Sequence, residues 1–122
     1  MATPSQSGPA LFRFAKDFKS VAAGEAIFKA GEIGDLMYSV KEGEVDVLVG
    51  GRVVETVGPG GILGEMALID RQPRSATAVA KTDCTLVPIN EERFKYLIQQ
   101  TLYFAIEVMR VMARRLRQMD AR

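Results

Sequence analysis

An antiparallel β sandwich or jelly roll, closed by C-terminal helices, is the architecture this sequence predicts, and three observations lead there. Ten of the eleven glycines lie between Gly24 and Gly64, so turns punctuate that whole stretch. Between and beyond them, residues 37–40, 45–49, 53–57, 77–80 and 85–89 are β-branched or apolar segments of strand length. After Pro88 neither Gly nor Pro occurs again, and the apolar pattern takes on a helical period.

With 122 residues, 48% of them apolar and 25% charged, the chain has the size and composition to bury one core. Residues 1–10 hold Ser, Thr, Gln, Gly and two Pro with almost nothing to bury, and read as a flexible leader to a single folded unit over 11–122. Leu11, Phe12, Phe14, Ala15 and Phe18 predict a short N-terminal helix packed on the main body. The β roll follows over about 21–89. Within it Val45, Val47 and Val49 alternate with Asp46 and Leu48, and Gly50-Gly51 supplies a two-residue hairpin turn into the next strand. Helices then occupy about 90–120. Asn90 is placed to cap the first, Glu91 and Glu92 set carboxylates against the positive end of its dipole, and a break is expected near 99–101.

Ile98, Leu102, Ala105, Met109, Met112, Leu116 and Met119 follow one another at spacings of 4 and 3, a heptad seam. Such a stripe either covers the β body of its own chain or pairs with a second copy. The regularity of the spacing favours a homodimer, with the methionines making the contact adaptable. Val108 and Val111 lie beside the seam and widen the apolar face.

Composition removes whole classes of chemistry. With no His and one Cys, Cys84, the chain has no Cys/His zinc cluster, no His-ligated haem and no Ser-His-Asp or Cys-His nucleophile pair. A lone thiol forms no internal disulfide, which points to a reducing cytoplasm. The formal charge of +1 gives no whole-molecule attraction to nucleic acid or anionic lipid. Five Arg against Glu107 and Asp120 make residues 107–122 locally basic, a weak basis for nucleic-acid binding when no helix-turn-helix unit follows. No apolar run reaches membrane-spanning length.

Residues 63–77 carry the chemistry. Gly64 permits close backbone approach, and Glu65 to Leu68 begin a helical turn whose free amides make an anion seat. The turn at Gln72-Pro73 returns Arg74 to that seat for a two-pronged contact, and Ser75 adds a hydroxyl. A carboxylate there would repel a phosphate unless Glu65 accepts a hydrogen bond from a ligand hydroxyl while Arg74 holds the charge, and a ribose phosphate presents both groups. The competing reading is that Glu65 and Arg74 form only an ion pair bracing the loop.

The stretch Leu63-Gly64-Glu65-Met66-Ala67-Leu68 with Arg74-Ser75-Ala76-Thr77 resembles the phosphate-binding cassette of the cyclic nucleotide-binding domain family. Residues 27–43 resemble that family's other signature, with Ser39 in a slot usually apolar, and residues 108–116 are similar to the dimer helix of the catabolite activator and nitrogen-fixation regulator group. The resemblance spans about 12–117. It implies a jelly roll of the double-stranded β-helix type with terminal B and C helices. It assigns the ribose 2′-hydroxyl to Glu65 and the cyclic phosphate to Arg74, with Leu63, Gly64, Met66, Ala67, Ser75 and Ala76 completing the cradle. Ser75 in the slot after the Arg leans toward cyclic AMP, with cyclic GMP still open. In the family a C-terminal helix covers the base; Arg115, Arg117 and Met119 are lid candidates by position, although a charge run ordinarily marks a solvated face.

The expectation is therefore a cytoplasmic cyclic AMP sensor without catalysis, metal or cofactor, whose C-terminal helix responds to ligand and whose downstream protein partner is unknown. A phosphodiesterase is set aside for want of metal ligands and a His base. The alternatives are a dimerisation module with an empty pocket, or the excised sensor of a transcription regulator or channel. The chain ends where the regulators' DNA-binding domain would begin.

Overall fold

The computed structural model describes residues 17–120; the 1–10 leader and nearly all of the helix predicted over 11–18 lie outside the described residues. Among the described residues eight strands and three helices follow in order: β1 (Lys19–Val21), β2 (Ala26–Phe28), β3 (Leu36–Glu42), β4 (Val45–Val49), β5 (Arg52–Val57), β6 (Ile62–Leu63), α1 (Met66–Ile69), β7 (Thr77–Ala80), β8 (Cys84–Asn90), α2 (Glu91–Gln100) and α3 (Leu102–Asp120). They build two four-stranded sheets, ordered β1-β8-β3-β6 and β2-β7-β4-β5. Every pairing is antiparallel.

Strand periodicity explains how one sheet serves two cores. In β3 Tyr38 and Val40 face the second sheet, where they meet Leu86 of β8, Leu63 of β6, and Val45, Val57 and Ala78 across the sandwich. The alternate residues, Met37 of β3, Ile62 of β6, and Val87 and Ile89 of β8, point outward under Leu97 of α2 and Phe104, Val108 and Val111 of α3. A strand buried on both faces reads as a continuous apolar run, which is why residues 36–40 and 85–89 lack polar alternation. Ser39 falls on this outer, wholly buried face, and its hydroxyl donates to the Gly61 carbonyl at 3.2 Å. Pro88 is tolerated because β1 pairs with β8 only up to Leu86, so at position 88 only β3 lies alongside.

The hairpin between β4 and β5 turns at Gly50 and Gly51, with φ of 60° and 80°, the left-handed conformation that a two-residue turn of this twist demands. A register shift between Val47 and Leu48 breaks the predicted alternation, and Val49 ends exposed. Asn90 caps α2 by accepting from the Arg93 amide at 2.8 Å, with Glu91 and Glu92 in the first turn. Glu91 also pairs with Arg71 and with Lys95; the hydrogen bond from Lys95 is the main reason its carboxyl titrates below the usual range. The chain breaks at Thr101, where φ −137° and ψ 97° are extended, and α3 starts at once.

That break, and a one-residue offset, divide the predicted seam. Phe104, Val108 and Val111 are buried on the chain's own body, with Ile98 and Met112 packed against the same cluster. Leu102, Met109 and Leu116 are 74%, 58% and 60% exposed, and Ala105 is half-buried; the side chain of Met119 lies outside those described. No helix among the described residues is long and apolar enough to cross a membrane.

The two faces of α3 predict opposite responses to truncation. Phe104→Ala is expected to lower unfolding free energy by about 3 kcal/mol or more in denaturant titration, whereas Leu102→Ala changes it by less than about 0.5 kcal/mol.

Candidate functional site

Residues 63–76 leave β6, make the single turn α1, and come back to β7. Gly64 takes φ 79°, a conformation costly for any side chain but glycine's. Glu65 follows in helical conformation as the first residue of the turn, and Arg71 at φ 56° ends it in the left-handed region. The chain then reverses through Gln72 and Pro73 to Arg74. The main chain of Arg74 is fixed twice to the β2–β3 loop: its amide donates to Glu32 O at 2.8 Å, and its carbonyl accepts from the Gly31 amide at 2.8 Å.

The Arg74 side chain is 8% exposed and threads between two glycines. Nη1 donates to Gly64 O at 3.0 Å and Nη2 to Leu36 O at 2.7 Å, while the guanidinium carbon lies 4.1 Å from the centre of the Phe28 ring. A Cβ on Gly34 would sit 2.5 Å from the guanidinium, and one on Gly64 2.7 Å from Nη1. Burial lowers the pKa of Arg74, and Tyr38, Asp35, Glu32 and Glu65 oppose the shift, so the group stays charged at any physiological pH.

Glu65 is 1% exposed and pairs not with Arg74 but with Arg115 of α3, whose Nη1 lies 2.6 Å from Oε2. Loop bracing by a Glu65–Arg74 ion pair is thereby overturned. Arg115 also donates through Nε to Glu55 Oε1 of β5 at 2.9 Å and through Nη2 to the Ile62 carbonyl at 3.1 Å. Burial alone would lower its pKa, and the two carboxylates outweigh burial and raise it. Arg115 therefore does not belong to the solvated face that the charge run suggested; Arg117 does, being exposed.

Leu63, Gly64, Glu65, Met66, Ala67, Arg74, Ser75 and Ala76, the eight positions singled out from the sequence, line one cavity of about 90 Å³. Phe28, Val47, Pro73 and Arg115 complete its wall; the first three were missed as site residues, and Arg115 is one of the three lid candidates offered by position. Glu65 and Arg74, both in this wall, each keep one buried side-chain atom without a hydrogen-bond partner among the described residues, Oε1 and Nε respectively. One carboxylate acceptor and one guanidinium donor are thus left without a protein partner on two residues of the same cavity wall, and a buried polar group left in that state is costly.

The family model described as "Cyclic nucleotide-binding domain" matches residues 18–101, more than half of the chain. The chain belongs to the cyclic nucleotide-binding domain family. A cAMP-dependent protein kinase regulatory subunit of Eremothecium gossypii is 41% identical over 80 residues, covering 66% of this chain; the match spans only 18% of that protein. Among solved structures, the catabolite activator protein of Thermus thermophilus superposes with a TM-score of 0.79 at 30% identity, over 98% of this chain and 61% of that one. A protein from a cyclic-GMP-dependent signalling pathway that regulates bacterial phytopathogenesis gives 0.77 at 29% identity, over 96% of both chains. These neighbours share the jelly roll with flanking helices described above.

The seat of Arg74 predicts a coupled effect. Gly34→Ala, at a position without positive φ, is expected to cost about 1–3 kcal/mol through the clash with the guanidinium. In an Arg74→Ala background the same change is expected to cost less than about 0.5 kcal/mol, a double-mutant cycle read by chemical denaturation.

Proposed function

We propose that this chain is a cyclic nucleotide sensor, without catalysis of its own, that prefers cyclic AMP to cyclic GMP. The observation that carries the proposal is that Glu65 and Arg74 line one cavity and each keep a buried atom without a hydrogen-bond partner among the described residues. In this reading the ribose 2′-hydroxyl donates to Glu65 Oε1, and the cyclic phosphate takes Arg74 Nε with the backbone groups of Gly64, Met66 and Ala67 and the wall formed by Leu63, Ser75 and Ala76. The cavity, at about 90 Å³, is far below the roughly 300–1,000 Å³ of a site that engulfs a small molecule. It suits a sugar and its phosphate, with the base outside against Val47 and α3.

A second reading has an observation in its favour. Ser75 carries a hydroxyl that accepts from a guanine amino group, and the bacterial neighbour matched over 96% of its length belongs to a cyclic-GMP-dependent pathway. Calorimetry with cyclic AMP, cyclic GMP and 5′-AMP separates the two. Tightest binding of cyclic AMP is expected, weakened by about 2 kcal/mol or more in Arg74→Ala, the net contribution of a charged hydrogen bond. Tighter binding of cyclic GMP reverses the preference, and binding of neither removes the sensor.

The same reading makes α3 the responding element, since Arg115 joins it to Glu65. Ligand shifts the helix only through its difference in affinity for the two helix positions. The exposed Leu102, Met109 and Leu116, each seven residues from the next, are proposed as the contact with a second copy. The matched kinase and activator relatives extend well beyond this domain, so the downstream protein partner is part of the proposal only as a class. The lone buried Cys84 favours a reducing, cytoplasmic setting. Met109→Glu is expected to convert a sedimenting dimer to monomer, and cyclic AMP to change hydrogen-exchange protection over 98–120; a wild-type monomer at every concentration overturns the pairing.

A further inference from the structure

We propose that Glu55 sets the pocket's selectivity for a free ribose hydroxyl, by keeping Arg115 from closing both oxygens of Glu65. The inference rests on the reading that Glu65 receives the 2′-hydroxyl. A guanidinium facing a lone carboxylate in a desolvated site favours the two-pronged arrangement, in which both oxygens are bonded. Arg115 does not adopt it. Its three nitrogens are spread over three partners: Nη1 on Glu65 Oε2, Nε on Glu55 Oε1 and Nη2 on the Ile62 carbonyl.

The result is that Glu65, a residue of the cavity wall, is held by one oxygen while the other, Oε1, is buried and has no partner among the described residues. Glu55 is itself fixed from the far side by Arg114, 3.5 Å from its Oε2, so it resists being drawn toward the pocket. It stands on β5, outside residues 63–76 and opposite Val47 of β4 in the sheet register, and its carboxylate accepts from Arg115 of the cavity wall. Removing it frees the Nε edge of Arg115. The guanidinium then turns toward the one carboxylate remaining and bonds both its oxygens, which caps the acceptor that a ribose hydroxyl would use. Glu55 is thus a positioning residue that acts through Arg115, and its effect falls on the sugar contact and not on the phosphate contact of Arg74.

The test compares 3′,5′-cyclic AMP with its 2′-deoxy analogue by calorimetry on the full chain. Wild type is expected to favour the ribose form by about tenfold or more, the value of a hydrogen bond to a charged group. In Glu55→Ala the preference is expected to fall below about threefold, with affinity for the deoxy analogue changed by less than about threefold. Glu55→Gln, which keeps the shape and an acceptor oxygen without the charge, is expected to fall in the same direction and serves if the alanine variant does not fold. A preference that survives both substitutions overturns the inference, and so does an equal loss for the two nucleotides, which marks Glu55 as a mere anchor of α3. If wild type binds neither nucleotide, or binds both equally, the failure lies in the sensor reading or in the role of Glu65.

Discussion

Two charged groups taken almost wholly out of water govern this structure. Burying an unpaired ion costs several kcal/mol even after relaxation, so the fold has to bring partners to Arg74 and to Glu65. For Arg74 it brings two backbone carbonyls and an aromatic face, drawn from β2, the start of β3 and the exit of β6. For Glu65 it brings Arg115 from fifty residues further along. The glycines at 34 and 64 follow from the first requirement, since any side chain at either would occupy the space of the guanidinium. The position of α3 follows in part from the second: a helix that left the body would strip the Glu65 carboxylate of its one bonded partner among the described residues.

The sheet that faces the helices answers to the same demands. Because its strands are apolar on both sides, Ile62 lies beneath Phe104, Val108 and Val111 while its carbonyl accepts from Arg115, three residues before Glu65. Packing of the helix and placement of the carboxylate therefore share one strand. Ser39 shows how complete that burial is, for a hydroxyl at a wholly enclosed position has found a carbonyl acceptor.

Much of this was legible in the sequence wherever the signal is local. The Gly50-Gly51 turn, the Asn90 cap, the break at Thr101 and the strand-length apolar runs each depend on a few adjacent residues, and each is found. That eight of the cavity-lining positions would lie together was legible because they come from two short segments joined by one tight turn. Phe28, Val47 and Glu55 were not, and Arg115 was marked only by position among three lid candidates, because their roles arise from contacts across the fold that no short pattern records. Periodicity also has a blind spot in α3. Phe104, Val108 and Val111 run parallel to Ala105, Met109 and Met112, one residue apart and at the same spacing, and only the packed body decides which row turns inward.

The extended residue at Thr101 has a mechanical consequence. It separates two stretches of unbroken helix, so altering its φ and ψ re-aims everything after it without melting a turn on either side. The helix that follows has nineteen residues, a rod about 28 Å long. A swivel of roughly ten degrees at that joint would carry the far tip through roughly 5 Å, on a lever of this length. A sub-ångström adjustment at that joint would in this way be geared up to a displacement of several ångströms at the tip.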